Sequence, residues 1–340
     1  MKEIAVLLPR LYTGGVTRVA IEIVNNLEHI EGLSFTIYSN RVGTSWHDKL
    51  DSEVRKFSPY PYPDLAFHRP DIRRELKEYD LLMNHNLYLN KFARLIPEVP
   101  MLSINHTHHS YNTNLFARKK GFKRKFQRKL NEVGSRELQE ADTVVCVSDR
   151  IKRRTSDIYK ANAGRIYNGG DTKHMEFSKE DEKYIFCPDT TGATIQRLSK
   201  KYPMKGLGEG GAEGIDWQSD VSDRKLAQLY KSASFIVSDS WKEGFPLYPI
   251  EAAFCGKPCV LREAGGNAEF VEHGETGFIA QNSSEFREYV RQLWENPELR
   301  KEMGRKAHNR AKENFTWEKA ARQYLTEIND LIGSDFEYPS

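Results

Sequence analysis

Nothing in this 340-residue chain comes near the ~18 consecutive apolar residues that would cross a bilayer. Its opening run, MKEIAVLLPRLY, meets charge and a turn too early for a secretory signal. Cysteine is scarce: Cys146, Cys187, Cys255 and Cys259 sit in apolar runs and make no CxxC pair. Reduced core thiols are therefore expected, and a cysteine metal site or redox pair is not. Repeats of solenoid period and low-complexity tracts are missing too. These absences suggest a cytoplasmic protein, with a peripheral place at the inner face of the membrane as the alternative. Net charge is also small, at +3, but it is unevenly spread. Residues 1–170 hold 28 Lys and Arg against 19 Asp and Glu, whereas the remainder holds 23 against 29. The first half is thus expected to meet something anionic.

What is present suits two ordinary domains. Hydrophobic content of 39% and aromatic content of 11% can fill real cores, and a single core rarely grows past about 250–300 residues. In the first half, apolar strands at 4–8, 35–38, 81–83, 101–104 and 143–147 alternate with helices, two of them near 114–140 and 149–160. A polar stretch, 169–183, reads as a linker. Strands at 184–187, 205–207, 235–237, 259–261 and 278–279 follow, with helices near 194–201, 223–231, 249–255 and 284–296. This alternation predicts an α/β chain of two doubly wound, Rossmann-like parallel-sheet domains, 1–168 and 184–312. The amphipathic tail within 313–340 is expected to pack back on the first domain. Such folds carry ligands at the carboxyl ends of their strands, and hence, it is expected, in a cleft between the two domains.

The strongest chemical signal runs from Glu243 to Val260: EGFPLYPIEAAFCGKPCV. It follows a buried strand and opens a helix. Glu243 falls in the loop and Glu251 on the first helical turn, so both can accept hydrogen bonds from the hydroxyls of one ligand. The loop amides at the helix start suit an anion. A plainer reading stands beside this one: Glu251 only caps its helix and Glu243 is solvated.

Further segments fall in a fixed order. They are Thr13-Gly-Gly-Val-Thr-Arg18, Val147-Ser148, Ile166-Tyr-Asn-Gly-Gly-Asp171 and Val221-Ser-Asp-Arg-Lys-Leu-Ala-Gln-Leu-Tyr230. Ala264-Gly-Gly-Asn-Ala-Glu269, Gly274-Glu-Thr-Gly-Phe278 and Phe315-Thr-Trp317 complete the series. With the Glu243–Glu251 signature, the series resembles the large retaining glycosyltransferase family 4, whose fold is GT-B, over nearly the whole chain. The resemblance implies that Glu243 holds the hydroxyls of the transferred sugar and Glu251 the ribose. Gly244, Phe245, Pro246 and Leu247 would line the donor pocket with main-chain groups, although Pro246 has no N–H. Gly14 and Gly15 would let amides approach a diphosphate, Asn168 would join the donor site, and His106 would meet the donor sugar. The donor would be a UDP- or GDP-linked sugar and the acceptor a glycan, glycolipid or other hydroxyl, with no cofactor or metal. Transfer of the hexosyl type would retain anomeric configuration, the leaving diphosphate helping to take the acceptor's proton.

One part of the pattern departs. The family grips the diphosphate with an arginine and then a lysine after the first strand of the second domain, but here no basic residue stands between Cys187 and Arg197. The segment from there to Trp217 is also short, as if a helix were missing. Thr190, Thr191, the amides of residues 192–194 and Lys205 are the expected substitutes. Arg18, from the first helix, is a further candidate. His106, His108 and His109 cluster after a strand, but no further ligands stand at zinc spacing. Eight of the twelve residues 118–129 are basic, with phenylalanines about a helical turn apart. They suit an anionic lipid surface or acceptor, or else a solvated helix face. Nothing resembles a nucleic-acid reader. Two rivals remain: a nucleotide-sugar 2-epimerase of the same architecture, and a catalytically weak sugar-nucleotide-binding module.

Overall fold

Unbroken apolar runs build two sheets. A computed structural model describes residues 1–8, 11, 14–39, 50, 52–55, 69–85, 87–90, 92, 95–106, 136, 138–188, 192–208, 212–240 and 244–339. The first sheet holds β1 (Lys2–Leu8), β2 (Leu33–Ser39), β3 (Glu53–Arg55), β4 (Leu81–Asn84), β5 (Met101–Asn105), β6 (Thr143–Cys146) and β7 (Gly164–Arg165). Their order is β3-β2-β1-β4-β5-β6-β7. Every pairing is parallel, with Ile4 lying between Phe35 and Leu81. The second sheet holds β8 (Ile185–Cys187), β9 (Met204–Leu207), β10 (Ile215–Gln218), β11 (Phe235–Ser238), β12 (Cys259–Arg262) and β13 (Gly277–Ala280). Its order is β10-β9-β8-β11-β12-β13, again all parallel. β4, β5, β11, β12 and β13 are buried at every position, as strands covered on both faces must be.

Ten α-helices connect and cover the strands among the described residues. In the first half they are α1 (Gly15–Leu27), α2 (Pro70–Leu76) and α3 (Asp149–Arg154), the last running into a π-turn, Thr155–Tyr159. Then come α4 (Ala193–Leu198), α5 (Asp223–Ser232), α6 (Tyr248–Phe254), α7 (Asn267–Phe270), α8 (Ser283–Glu295), α9 (Pro297–Asn314) and α10 (Trp317–Ile332). α1 buries Val19, Ala20, Ile23, Val24 and Leu27 on one stripe. Between β9 and β10 the described residues form no helix, and only residues 208–214 join the two strands.

The chain divides into two units, Met1–Tyr167 with Ala320–Ser340, and Asn168–Lys319. Each has its own core, around Leu7, Tyr38, Leu82 and Phe92 in the first and around Phe235, Val237, Phe286 and Leu293 in the second. The stretch 169–183, whose polarity suggests a linker, is packed into the second unit. Asp181 accepts from Arg300 Nη2 at 2.6 Å and from Ser234 Oγ at 2.5 Å. The Glu180 carbonyl accepts from the buried Lys257 ammonium at 2.5 Å. The Asp181 carboxylate therefore answers a buried guanidinium, and the Glu180 main chain a buried ammonium. The second unit also runs past 312, to Lys319, and α10 joins the first unit from Ala320 onward. Among the described residues, no helix is long and apolar enough to cross a membrane. All four cysteines are free and buried, and burial pushes the Cys146 thiol up to about 11 and Cys255 up to about 12.

Candidate active site

Each sheet reverses its strand order once, between β1 and β4 in the first and between β8 and β11 in the second. Loops leaving neighbouring strands there run in opposite directions, so the carboxyl ends at the reversal open a crevice. The motif residues gather at these two places, each on its own unit.

In the second unit, β11 ends at Ser238 and the chain passes Asp239 to reach residues 244–247 and α6. Tyr248, the first residue of α6, donates its hydroxyl to Ser238 Oγ at 3.0 Å. The Gly244 carbonyl accepts from Gly266 N–H at 2.9 Å, and the Phe245 carbonyl accepts from Asn168 Nδ2 at 3.2 Å. Phe245 is buried beside Phe315, which itself stacks near Phe270, so its ring is core and its main chain is what the loop presents. Pro246 and Leu247 stay half-exposed. Glu251, on the first turn of α6, is only 4% exposed. Asn168 lies beneath the loop: it is buried, and its Oδ1 has no partner among the described residues. It supports the loop's main chain.

Across the reversal, Asp239 is also buried and accepts Gly192 N–H at Oδ1, 2.9 Å away. A Cβ at position 192 would collide with that carboxylate unless Asp239 moved, so glycine keeps this contact close. The amides expected to receive an external anion thus begin with one already holding an internal carboxylate. Lys205 departs from expectation more plainly. Its ammonium lies 3.4 Å from Glu182 Oε2 and 4.1 Å from the centre of the Tyr184 ring. Both partners precede β8, so Lys205 is engaged at the amino end of the sheet, opposite the crevice. Among the described residues, Arg262, the last residue of β12, places a guanidinium at the carboxyl end. It is 4% exposed and donates to Ser283 Oγ at 2.6 Å and to Thr194 Oγ1, on α4, at 3.2 Å.

In the first unit, Gly14 and Gly15 lead into α1 just after β1. Apart from its chain neighbours and the backbone of its own helix, no atom of the described residues lies within 4 Å of where a Gly15 Cβ would stand. His85 directly follows β4, its N–H bonded to the Leu7 carbonyl of β1 at 3.1 Å. His106 directly follows β5. Their rings meet through Nδ1 of His85 and Nε2 of His106, 3.0 Å apart. Burial holds both rings below the ordinary histidine value, His106 at about 4 and His85 well below the ordinary 6.5, with His106 beside His85 as a second cause. Both are therefore neutral at pH 7.

Glu243, Thr190, Thr191, His108, His109 and the basic stretch 118–129 lie outside the described residues. Among the described residues, no three His, Cys, Asp or Glu side chains gather as a metal site requires. Sequence reasoning passed over His85, Asp239 and Arg262. One signal was available for all three: each is a polar residue at the very end of a buried strand, where this fold places its chemistry.

Two family models match the chain, glycosyl transferases group 1 over residues 204–310 and glycosyltransferase family 4 over residues 13–174. Trehalose synthase of Pyrococcus horikoshii is 37% identical over 140 residues, which span 41% of this chain and only about a third, 32%, of that enzyme. An uncharacterized glycosyltransferase of Methanocaldococcus jannaschii is 23% identical over 355 aligned positions, covering 96% of this chain and 99% of its own length. Among solved structures, Anabaena HepE in complex with UDP-glucose superposes with a TM-score of 0.78 at 17% identity, over 97% of this chain and 100% of that one.

Proposed function

We propose a function from the premise that this chain belongs to the group 1, family 4 glycosyltransferases and has their GT-B fold: it moves a hexose from a nucleotide-diphosphate sugar to a hydroxyl acceptor, with retention at the anomeric carbon. The observation that carries this reading is the placement of residues 239–240 and 244–251. They leave β11 at the strand reversal and bring the buried Glu251 to the first turn of α6. A carboxylate there accepts from the two ribose hydroxyls of a nucleotide. HepE, a protein of the same fold, is seen with UDP-glucose, which makes a UDP-sugar the first donor to try.

The reaction breaks the bond between the anomeric carbon and the diphosphate oxygen. It forms one to the acceptor oxygen on the same face, and the acceptor's proton passes to the departing phosphate. The protein's part is to position both partners and to stabilise the growing negative charge. With the family's basic pair missing after β8, Arg262 is the described cation best placed at the carboxyl end of the second sheet. Gly15 fits the diphosphate side, since no described protein atom accounts for its lack of a side chain. Glu243 would hold the sugar hydroxyls. The reaction needs no metal, so a chelator leaves its rate unchanged. Residues 118–129 bring the enzyme to an anionic membrane, and sedimentation with anionic but not neutral vesicles tests that part.

Incubation with a panel of UDP- and GDP-sugars decides among the readings. Released or transferred sugar supports the transferase, an epimerised nucleotide sugar indicates the 2-epimerase, and binding without turnover leaves a binding module.

A further inference from the structure

The two histidines at the strand reversal of the first sheet share one bond, and its geometry fixes where their protons lie. The ring planes differ by 18°, and the centroids are 5.2 Å apart while the bonded nitrogens are 3.0 Å apart. The excess is about two ring radii, so the rings are nearly coplanar and joined end to end. That is the geometry of a straight hydrogen bond, and it needs one proton between the two nitrogens. A neutral imidazole carries a proton on one nitrogen only, so the direction of the bond sets both tautomers.

Two arrangements exist. If His106 donates from Nε2, His85 must carry its own proton on Nε2. If His85 donates from Nδ1, its Nε2 is bare and the proton of His106 lies on Nδ1. The surroundings of His85 choose between them. It is 4% exposed, and its Nε2 is buried with no partner among the described residues. An orphaned buried N–H is the rarer defect in folded proteins, whereas an under-used acceptor is better tolerated. The main chain fixes the place of His85 in either arrangement, its N–H bonded to the Leu7 carbonyl.

We propose that His85 is a positioning residue that donates from Nδ1 to His106 Nε2, so that His106 keeps its proton on Nδ1 and meets the bound sugar as a neutral hydrogen-bond donor. This deepens the transferase reading and rests on it for the identity of the ligand. The class of group recognised is an oxygen lone pair, on a sugar hydroxyl or a phosphate. His106 neither accepts the acceptor's proton nor delivers one to the leaving group. Its low affinity for a second proton fits that role, because the ring stays uncharged throughout the working pH range.

The test begins with the full chain free of nucleotide, labelled with nitrogen-15 in its histidines. Long-range proton–nitrogen spectra at pH 7, assigned with His106→Gln and His85→Asn, report which ring nitrogen carries hydrogen. The expected result is a protonated Nδ1 and a bare Nε2 on His106. A proton on Nε2 of His106, or a charged ring, overturns the inference whether or not the protein is active. Turnover then tests the positioning role. His85→Leu keeps bulk but has no donor, and should lower kcat at least tenfold while nucleoside diphosphate affinity stays unchanged. His85→Asn places an amide N–H where Nδ1 was, and should recover most of that loss. Equal rates in both variants after correction for folded protein would overturn the positioning role. If the unaltered chain turns over no nucleotide sugar, the transferase reading has failed, and the spectra still decide the proton's place.

Discussion

The carboxyl edges of the two sheets occupy equivalent places in their units but are built from opposite materials. At the first, glycines and two neutral histidines face the reversal, and the bonding is between side chains. At the second, buried charges gather, Glu251, Asp239 and Arg262, and the loop is held by main-chain carbonyls bonded to Asn168 and Gly266. Among the described residues at the two reversals, the first edge is thus uncharged and the second charged, which on the proposed function would suit sugar hydroxyls and a nucleotide respectively. Substitutions at the two edges should accordingly fail in different ways.

The largest expected effect is at the charged edge. On the proposed ribose role, Glu251→Ala would remove an acceptor of two hydroxyl bonds, about 1.5–3 kcal/mol for a charged hydrogen bond, and should weaken nucleoside diphosphate affinity by tens of fold. Calorimetric titration measures it, with the far-ultraviolet spectrum as a check on folding. Unchanged affinity would mean that Glu251 is buried for packing alone. Next comes Arg262. A leaving diphosphate gains close to two charges, and Arg262→Met should lower turnover about tenfold, close to 1.4 kcal/mol of barrier. Arg262→Lys, which keeps the charge, should lose less. If Arg262→Met turns over at full rate and only melts earlier, the arginine serves Thr194 and Ser283, and the charged edge lacks its cation.

The two units should also part company in acid. In the first, His85 and His106 are neutral when folded but take protons near pH 6.5 when unfolded. Below pH 6.5 the unfolded state binds more protons, so stability falls toward pH 4, by at most about 1.4 kcal/mol per pH unit for each histidine. In the second unit, burial raises Asp181 but hydrogen bonds from Ser234 and Arg300 outweigh it, leaving the carboxyl below its ordinary value of 3.8. The stability it contributes is lost only at lower pH. Calorimetry at pH 6.5 and 4.5 should therefore show the first unit melting earlier in acid and the second barely shifted. A shift of equal size in both units breaks the contrast.

Much of this was legible in the sequence, and the gaps have physical causes. β1, β5, β11 and β12 stand out because strands buried on both faces are unbroken apolar runs. β3 and β10 are edge strands carrying Glu53, Arg55, Asp216 and Gln218, so they lack that mark. α9 hid for another reason. Its buried stripe includes Gly304, Ala307 and Ala311, small because the backbone comes close: a Cβ at Gly304 would strike the Gly256 carbonyl. At the site, Glu251 and the Asn168 turn could be read from a contiguous motif. Asp239, Arg262 and His85 could not, because each works through residues distant in sequence, such as Gly192, Thr194 and His106.

The smallest expected effect tests the uncharged edge most directly. Gly15 opens α1 with nothing among the described residues, beyond its chain neighbours and its own helix backbone, within 4 Å of a prospective Cβ, and its φ is not in the left-handed region. Packing and backbone geometry among those residues give no reason for glycine there. Alanine at a helical position also restricts the unfolded chain, so Gly15→Ala should raise stability by a few tenths to about 1 kcal/mol. A ligand whose phosphates approach that backbone would meet the added methyl group. The expected pattern is therefore a slightly higher melting temperature with reduced turnover, an opposition that no purely structural role produces. If the variant is both more stable and fully active, no phosphate comes close to Gly15, and the diphosphate is held by the charged edge alone.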